Sequence, residues 1–284
     1  MAGKDSFVHL HVHTEFSMLD GAARIKPLLA KTAELGMPAI AITDHGNNHG
    51  AYDFYKTAKA AGIKPIIGIE AYVTPGTARG DRSKVLFGDG SNKEDDAGGS
   101  GAYTHMTMLA ETTEGMYNLF KLSSLAWLEG MYFKPRMDRE ILQKYAKGII
   151  ATTGCVGGEV QTRLRLGQYD EAYKAAGEFR EIFGKDNFFA EIMDHGIEIE
   201  KRTMNELIDL ARKLDIPLVA TNDLHYTHAK DATAHEALLC VQSGSNLYDP
   251  NRFKFEGEEF YLKSPAQMRE LFKDYPEACD NTLL

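Results

Sequence analysis

Residues 7–14 read FVHLHVHT, a run in which apolar residues alternate with histidines. In a β-strand the side chains repeat with a period of two, so that His9, His11 and His13 share one face and apolar residues share the other. A lone histidine is usually structural, but an H-x-H pair at the end of an apolar strand directs two imidazoles at one point, where a borderline metal ion can bind. This stretch therefore predicts a strand that ends in a metal site.

Short β-rich runs alternate with helical patterns along the rest of the chain, which predicts repeated βα units and a mainly parallel sheet, open or closed into a barrel. Seven strands are expected, at residues 7–12, 39–43, 65–72, 104–110, 148–152, 187–193 and 217–222. Helices are expected at residues 26–35, 52–61, 115–128, 170–183, 198–214 and 265–275. The fold class is therefore α/β.

Residue types that bind metals recur at the ends of the predicted strands. The residues that follow or close the runs AIAIT, KPIIGI, GIIATTG and PLVATN are His45, Glu70, Cys155, Asp223 and His225. In parallel β/α folds the carboxyl ends of the strands form one face, so these side chains are expected to converge there. Asp20, in the loop SMLDG, and His105, in YTHMTMLA, are two further candidates whose positions the pattern does not fix.

The mixture of His, Asp, Glu and thiolate ligands favours Zn, Mn or Fe over Mg or Ca, which prefer oxygen ligands. Cys155 is explained equally well as a small buried apolar residue, although the glycines on either side of it favour an exposed loop site. Cys240, in ALLCVQ, is expected in a helix core, and Cys279 is expected in a frayed tail. Neither is a ligand candidate.

Composition and charge limit the class of protein. The 284 residues are 43% hydrophobic, which suffices for one large core, and three cysteines are too few for a disulfide framework. The formal charge of -9 argues against a surface that grips nucleic acid over its whole extent, although local basic patches are compatible with it. There is no signal-peptide pattern and no apolar run of about 20 residues, so a soluble, cytoplasmic protein without membrane contact is expected.

Two regions do not follow the alternation of strands and helices. Residues 76–101, rich in Gly, Asp, Ser and Lys, are expected to form an exposed, mobile insertion. The sequence ends with PEACDNTLL, in which a helical pattern begins and then stops. We expect a single domain over residues 1–284, in which residues 265–284 start the connection to a further part of a longer chain.

The motifs HLHVHTEFSMLDG, AITDHGN, KPIIGIEAYV, ATTGCVGG and ATNDLHY occur in this order. They resemble the motifs of the polymerase and histidinol phosphatase (PHP) family, over almost the whole chain. YFKPRMD and AHEALLCVQSG further resemble the PHP domain at the N-terminus of the alpha subunit of bacterial replicative DNA polymerases rather than a free-standing phosphatase. The resemblance implies a distorted seven-stranded (β/α)7 barrel, which agrees with the seven predicted strands, and three divalent metal ions at the carboxyl ends of the strands.

The resemblance also implies which residues bind the metals and form the catalytic centre. The nine positions are His11, His13, Asp20, His45, Glu70, His105, Cys155, Asp223 and His225. All nine carry metal-binding residue types, as in family members that retain the full set. The implied partition gives the first metal His11, His13, Glu70 and Asp223, the second Glu70, His105 and Cys155, and the third Asp20, His45 and His225. Zn is the expected metal, with Mn or Fe as alternatives.

The activity implied by the resemblance is metal-assisted hydrolysis of a phosphoester without a covalent intermediate. In a polymerase the substrate would be the 3′ end of a DNA strand, which makes the domain a 3′-5′ proofreading exonuclease. Its partners would be DNA, the remainder of the polymerase alpha subunit and the replisome. Two alternatives stay open: a non-catalytic, metal-stabilised structural module, and a phosphatase acting on a sugar phosphate or histidinol phosphate. Arg136, Lys134 and His195 are candidates for contacts to phosphate or base, although each is readily explained as a bystander.

Overall fold

The computed structural model describes residues 5–87 and 99–284. In this part of the chain the strands are β1 (Ala39–Ile42), β2 (Lys64–Val73), β3 (Thr104–Ala110), β4 (Met131–Tyr132), β5 (Lys134–Met137), β6 (Ile149–Thr152), β7 (Phe188–Ile192) and β8 (Leu218–Ala220). Six of the seven predicted strands are confirmed to within two residues. The short hairpin of β4 and β5 is not predicted by the sequence pattern, because β4 is too short to show an alternation.

The sheet is mixed, so the prediction of a mainly parallel sheet is corrected at β3. The pairs β1 with β2, β6 with β7, and β7 with β8 are parallel, whereas β3 lies antiparallel between β2 and β6. A parallel neighbour requires a crossover connection, usually a helix. The described residues between β2 and β3 contain no α-helix, and the chain returns in the opposite direction.

Residues 7–14 do not form the regular strand predicted at 7–12, but they close the barrel. The Ala41 N–H donates a hydrogen bond to the His9 carbonyl (2.9 Å), and the Leu224 N–H donates one to the His11 carbonyl (3.1 Å). The segment thus bonds to β1 on one side and to the residues after β8 on the other. On the β1 side the Val12 N–H donates to the Thr43 hydroxyl (2.7 Å) instead of to a main-chain carbonyl, and on the other side the pairing is limited to one bridge between Val12 and Leu224, so neither side forms a continuous ladder. Together with β1, β2, β3, β6, β7 and β8, this segment completes a distorted seven-membered barrel, as the resemblance to the PHP family implies.

Helices cover the outside of the barrel. They are α1 (Ile25–Glu34), α2 (Ala51–Ala60), α3 (Thr113–Glu129), α4 (Arg139–Tyr145), α5 (Glu159–Arg165), α6 (Tyr169–Phe183), α7 (Glu198–Lys213), α8 (Ala232–Ser243), α9 (Pro265–Leu271) and α10 (Pro276–Asp280). Every predicted helix is confirmed. α4 and α5 are not predicted by the sequence pattern. They have seven residues each, which are too few for a helical period to show in the sequence. No helix in the described part of the chain is long and apolar enough to cross a bilayer.

The C-terminal residues pack against the barrel. Met268 of α9 and Cys279 of α10 belong to a large buried apolar cluster, and the Thr282 hydroxyl accepts a hydrogen bond from the Val8 N–H (3.1 Å). Cys279 is fully buried, so the prediction of a frayed tail is wrong. The tail is ordered because it covers apolar side chains of the barrel. Cys240 is buried on α8, as predicted.

Residues 76–87 form an exposed loop without regular secondary structure, as predicted for the start of the insertion at 76–101. Residues 88–98 of that insertion lie outside the described residues. The buried Arg136 guanidinium donates hydrogen bonds to the carbonyls of Arg79 (2.7 Å) and Asp81 (2.8 Å). Arg136 therefore holds this loop to the barrel, and backbone carbonyls occupy its donors.

Candidate metal centre

The nine predicted side chains come together at one rim of the barrel. His11 and His13 come from the segment 7–14, and His45 and Asp20 come from loops. The remaining ligand candidates lie in or just after strands: Glu70 in β2, His105 in β3, Cys155 after β6, and Asp223 and His225 after β8. His105 lies near the beginning of β3. It reaches the same rim because β3 runs antiparallel, so that its first residues lie where the parallel strands end.

The first group surrounds the inner end of the cluster. The Nε2 atoms of His11 and His13 lie 3.3 and 3.2 Å from the same oxygen, Oδ1 of Asp223. Both Nε2 atoms lie 3.5 Å from the Glu70 carboxylate, one from each of its oxygens. The two histidines and Glu70 are almost completely buried. These four residues match the set expected for the first metal.

The second group shares Glu70. His105 Nδ1 lies 2.9 Å from Glu70 Oε1, and the Cys155 Sγ lies 3.4 Å from the same oxygen. Sγ and His105 Nδ1 are 3.7 Å apart. The three side chains expected for the second metal are therefore in mutual contact.

The third group differs in one respect from the expected partition. His45 Nε2 lies 3.2 Å from Asp20 Oδ2, in agreement with a site that holds both residues. His13, His45 and His225 each have one ring nitrogen within 4.8 Å of a ring nitrogen of the other two. His13 therefore stands between the first and third groups, whereas the expected partition gives it to the first metal alone.

The donor atoms fit metal ions better than they fit hydrogen bonds to one another. Among the described residues, buried polar atoms without a hydrogen bond of good geometry include His11 Nε2, His13 Nε2, Asp20 Oδ1 and Asp223 Oδ1. Unpaired buried polar atoms are costly, so a concentration of them calls for an explanation. Ligands at the usual Zn–N and Zn–O distances in a tetrahedron lie about 3.4 Å apart, which is the spacing of the first group.

In three of the histidines the protein fixes which ring nitrogen is free. The Ser17 hydroxyl donates its proton to Asp44 Oδ1 (2.7 Å), so it accepts from His13 Nδ1 (2.8 Å). The Nδ1 of His11 donates to Glu191 Oε1 (2.8 Å), and the Nδ1 of His225 donates to the Asp223 carbonyl (2.8 Å). When these rings are neutral, the lone pair therefore lies on Nε2, which is the form that binds a metal.

Glu191 is a functional residue that the sequence reasoning did not identify. Its carboxylate is buried, and besides His11 it accepts a hydrogen bond from the Thr221 hydroxyl (2.6 Å). The hydroxyl of Thr152 donates to its second oxygen. The available signal was a carboxylate within the apolar run FFAEIM, since a buried charge of this kind must have partners.

Burial and the neighbouring charges act in opposite directions on the carboxylates. Burial raises the pKa of Glu70, but the imidazoles of His105 and His45 outweigh it and hold that pKa well below its usual range. Asp223 is also held low, by His11 and His225 against burial. For Asp20 the balance between burial and His45 lowers the pKa to about 2. Three carboxylates at the rim are therefore ionised at neutral pH.

The pKa of the Cys155 thiol is shifted upwards, whereas the pKa values of the three carboxylates are lowered. Burial, followed by the charges of Glu70 and Asp223, raises the pKa of its thiol well above the usual value. The thiol is therefore protonated at neutral pH unless a cation is bound beside it, and a bound metal ion would release this proton.

The cluster opens into a cleft of about 400 Å³. His195, a candidate for contacts to phosphate or base, has both ring nitrogens engaged within the protein. Its ring is fixed by Glu200 (2.6 Å) and by the Asn222 carbonyl (2.8 Å), and it stacks on Phe260. Lys134 lies over the ring of Tyr72, with its Nζ 5.3 Å from the ring centre.

The model of the PHP domain family matches residues 9–195. The chain belongs to the PHP domain family.

Among curated proteins, the chain is similar to DNA polymerase III subunit alpha of Mycobacterium tuberculosis (strain H37Rv), with 59% identity over 281 residues. This alignment covers 98% of the chain and 24% of the relative. The same subunit of Treponema pallidum is 45% identical over 278 residues, which cover 98% of the chain and 23% of the relative. The chain spans about a quarter of the length of these relatives.

A solved structure from Bacteroides vulgatus, described as a two-domain protein containing a PHP-like metal-dependent phosphoesterase, overlaps 98% of the chain and 63% of its own length. The overlap has a TM-score of 0.45 and 14% sequence identity.

Proposed function

We propose that this chain is the PHP domain of a bacterial replicative DNA polymerase alpha subunit and that it acts as a metal-dependent 3′-5′ exonuclease on DNA. The observation that carries the proposal is the set of unpaired nitrogen and oxygen atoms at the rim, which converge at the spacing of metal ligands. The names of its relatives support the polymerase context.

The proposed ligands are all nine clustered residues, which would hold three divalent ions. Imidazole, carboxylate and thiol donors in one cluster favour Zn, with Mn or Fe as alternatives. When bound, such ions supply a hydroxide nucleophile at neutral pH and stabilise the charge that develops on the phosphate oxygens.

The residues of the chain prepare this chemistry in two ways. Glu191 and Ser17 hold His11 and His13 in the tautomer that leaves Nε2 free. Glu70, low in pKa and in contact with four histidines, keeps its negative charge at the centre of the cluster. The cleft of about 400 Å³ in front of them leads to the cluster.

The proposed setting follows from the same relatives. We propose that residues 1–284 are one domain, that residues 265–284 lead towards the polymerase body, and that the replisome in the cytoplasm is the place of action. The DNA 3′ end is the proposed substrate.

A structural role is the second candidate, because His11, His13 and Glu70 are so deeply buried that bound metals could serve only to hold the barrel together. The formal charge of -9 also weakens the binding of DNA to a surface of this chain. In this case the metals would stabilise the domain without hydrolysis.

The test is hydrolysis of a 3′-labelled single-stranded DNA and of a duplex with a mismatched 3′ end, in Mn or Zn. The native protein is compared with Asp20→Ala and His11→Ala, and Asp53→Ala on the exposed surface of α2 is the matched control. We expect activity in the native protein and the control and its loss in both site variants. Full metal content without hydrolysis would support the structural role, and turnover of histidinol phosphate in preference to DNA would support a phosphatase.

A further inference from the structure

The cleft has an aromatic side that the ligand set does not explain. Beside the metal-binding candidates, the loop between α8 and α9 lines it with Phe253, Lys254, Phe255 and Phe260. These residues come from the run NRFKFEGEEF, which the sequence motifs leave unassigned.

The aromatic rings form a connected series from the cluster to the solvent. The Phe255 ring meets the His225 ring edge to face, with centroids 4.8 Å apart, and it contacts Phe260 at the same distance. Phe253 meets Phe255 edge to face at 6.2 Å. Phe260 is 7% exposed, whereas Phe253 is 54% exposed. Phe253 is thus a half-exposed ring at the rim, two ring contacts away from a candidate metal ligand.

The charge on this side is suited to a phosphate group. Among the cleft-lining residues that the structure describes, Lys254 is the one with a permanent positive charge. It lies next to Phe253 in the chain and lines the cleft together with the carboxylates of Asp20, Glu70, Glu200, Asp223 and Glu256.

From this arrangement we infer that residues 253–255 form the subsite for the terminal nucleotide of the DNA strand. The inference rests on the proposed function and deepens it. The face of Phe253 stacks on the terminal base, Lys254 contacts a backbone phosphate, and Phe255 fixes the distance between the stacked base and the metal cluster. Every base presents a π-face, so stacking of this kind accepts all four bases. The subsite therefore binds 3′ ends without regard to sequence and separates nucleotides from phosphoesters that lack a base.

The test compares two oligonucleotides that differ only at the 3′ terminus, one with a normal nucleotide and the other with an abasic one. Both carry a 5′ fluorophore and a 3′-terminal phosphorothioate linkage, which slows hydrolysis, and binding to the metal-loaded protein is measured by anisotropy. Hydrolysis of the matching oligonucleotides with ordinary phosphodiester linkages is followed separately. The variants are Phe253→Ala and Lys254→Gln, with Tyr248→Ala as a matched control, because Tyr248 is 96% exposed and does not line the cleft.

For the native protein and the control we expect about tenfold tighter binding of the normal end than of the abasic end. Phe253→Ala should remove this difference and leave affinity for the abasic end unchanged. Lys254→Gln should weaken binding of both ends alike and reduce the slope of log K against log salt by about 0.7. Equal binding of the two ends by the native protein, or an unchanged ratio in Phe253→Ala, would overturn the inference.

The result also separates the subsite from the proposed activity. If the native protein does not hydrolyse DNA but Phe253→Ala still abolishes the preference for the normal end, the subsite stands and the exonuclease proposal fails. If hydrolysis proceeds without any such preference, the exonuclease stands and the subsite fails.

Discussion

Glu191 shows how a single residue outside the ligand set controls the site. It accepts the hydrogen bond from His11 Nδ1 and thereby keeps Nε2 free for a metal. Glu191→Gln keeps the size of the side chain but removes its charge, and we expect a metal affinity about 10- to 100-fold weaker. Competition with a calibrated chelator measures this, with Glu206→Gln on the exposed face of α7 as the control. Equal affinities in the native protein and Glu191→Gln would show that Glu191 does not support His11.

His9 provides a prediction about pH. Burial lowers the pKa of this ring to about 4, from an ordinary value near 6.5, against the hydrogen bond to the Lys263 carbonyl, which raises it. Between these two pH values the unfolded chain binds a proton that the folded protein does not, so stability falls as the pH falls from 6.5 to about 4. The loss due to His9 at pH 5 is about 2 kcal/mol.

The variant His9→Gln tests this sign. Glutamine can still donate a hydrogen bond to the Lys263 carbonyl, which His9 Nε2 contacts at 2.9 Å, but it does not titrate. The free energy of unfolding, measured in urea with chelator at pH 7 and pH 5, should fall less in His9→Gln than in the native protein. An identical fall in both proteins would contradict the assignment of a buried neutral ring.

For individual residues, the sequence reveals the ligand candidates because metal-binding residue types stand out at the ends of apolar strands. It does not reveal Glu191, whose importance depends on a hydrogen bond to a residue 180 positions earlier. The sequence also cannot show that His13 lies between the first and third ligand groups, because that position depends on the distance between the segment 7–14 and the residues after β8.

Among the elements, α3 and the turn before β6 make an unusually close contact. A Cβ atom added at Gly115 would lie 1.7 Å from the Gly148 carbonyl oxygen, and Gly148 itself has φ of +72°. Gly115→Ala must therefore push α3 away from the barrel, and we expect a free energy of unfolding at least about 2 kcal/mol lower.

The matched control is Gly177→Ala in α6, where nothing lies within 4 Å of an added Cβ. There alanine relieves the entropic cost of glycine in a helix, and we expect a gain of about 0.5 to 1 kcal/mol. Urea unfolding measures both changes. A loss of similar size in both variants would show that the close contact is not the cause.

The elements themselves are well predicted where a local pattern defines them. The apolar run of β2 and the amphipathic residues of α7 suffice to locate these elements. The direction of β3 is not encoded locally, because it depends on how the chain returns after β2. The segment 7–14 has a strand pattern but no continuous partner, so its irregular form follows only from its two neighbours in the closed barrel.

For the molecule as a whole, the ionised carboxylates at the rim link metal binding to stability. Glu70, Asp20 and Asp223 lie close together, and His11 and His45, whose pKa values are raised by these carboxylates against the effect of burial, balance them only in part. Metal removal should lower the melting temperature by about 5 to 10 °C, since ions bound well above their dissociation constants contribute several kcal/mol. Differential scanning calorimetry with and without a strong chelator measures this shift. In His11→Ala the shift should be smaller, and an unchanged melting temperature in the native protein would contradict the link.

The central claim is that the nine side chains at the rim form one metal centre. Anomalous diffraction from crystals of the zinc-loaded protein, recorded on both sides of the zinc absorption edge, tests it most directly. We predict three peaks within the cluster, one of them bound by the Nε2 atoms of His11 and His13 together with Glu70 and Asp223. If full loading gave peaks only on the surface, with the rim histidines hydrogen-bonded to the carboxylates, the claim would be wrong.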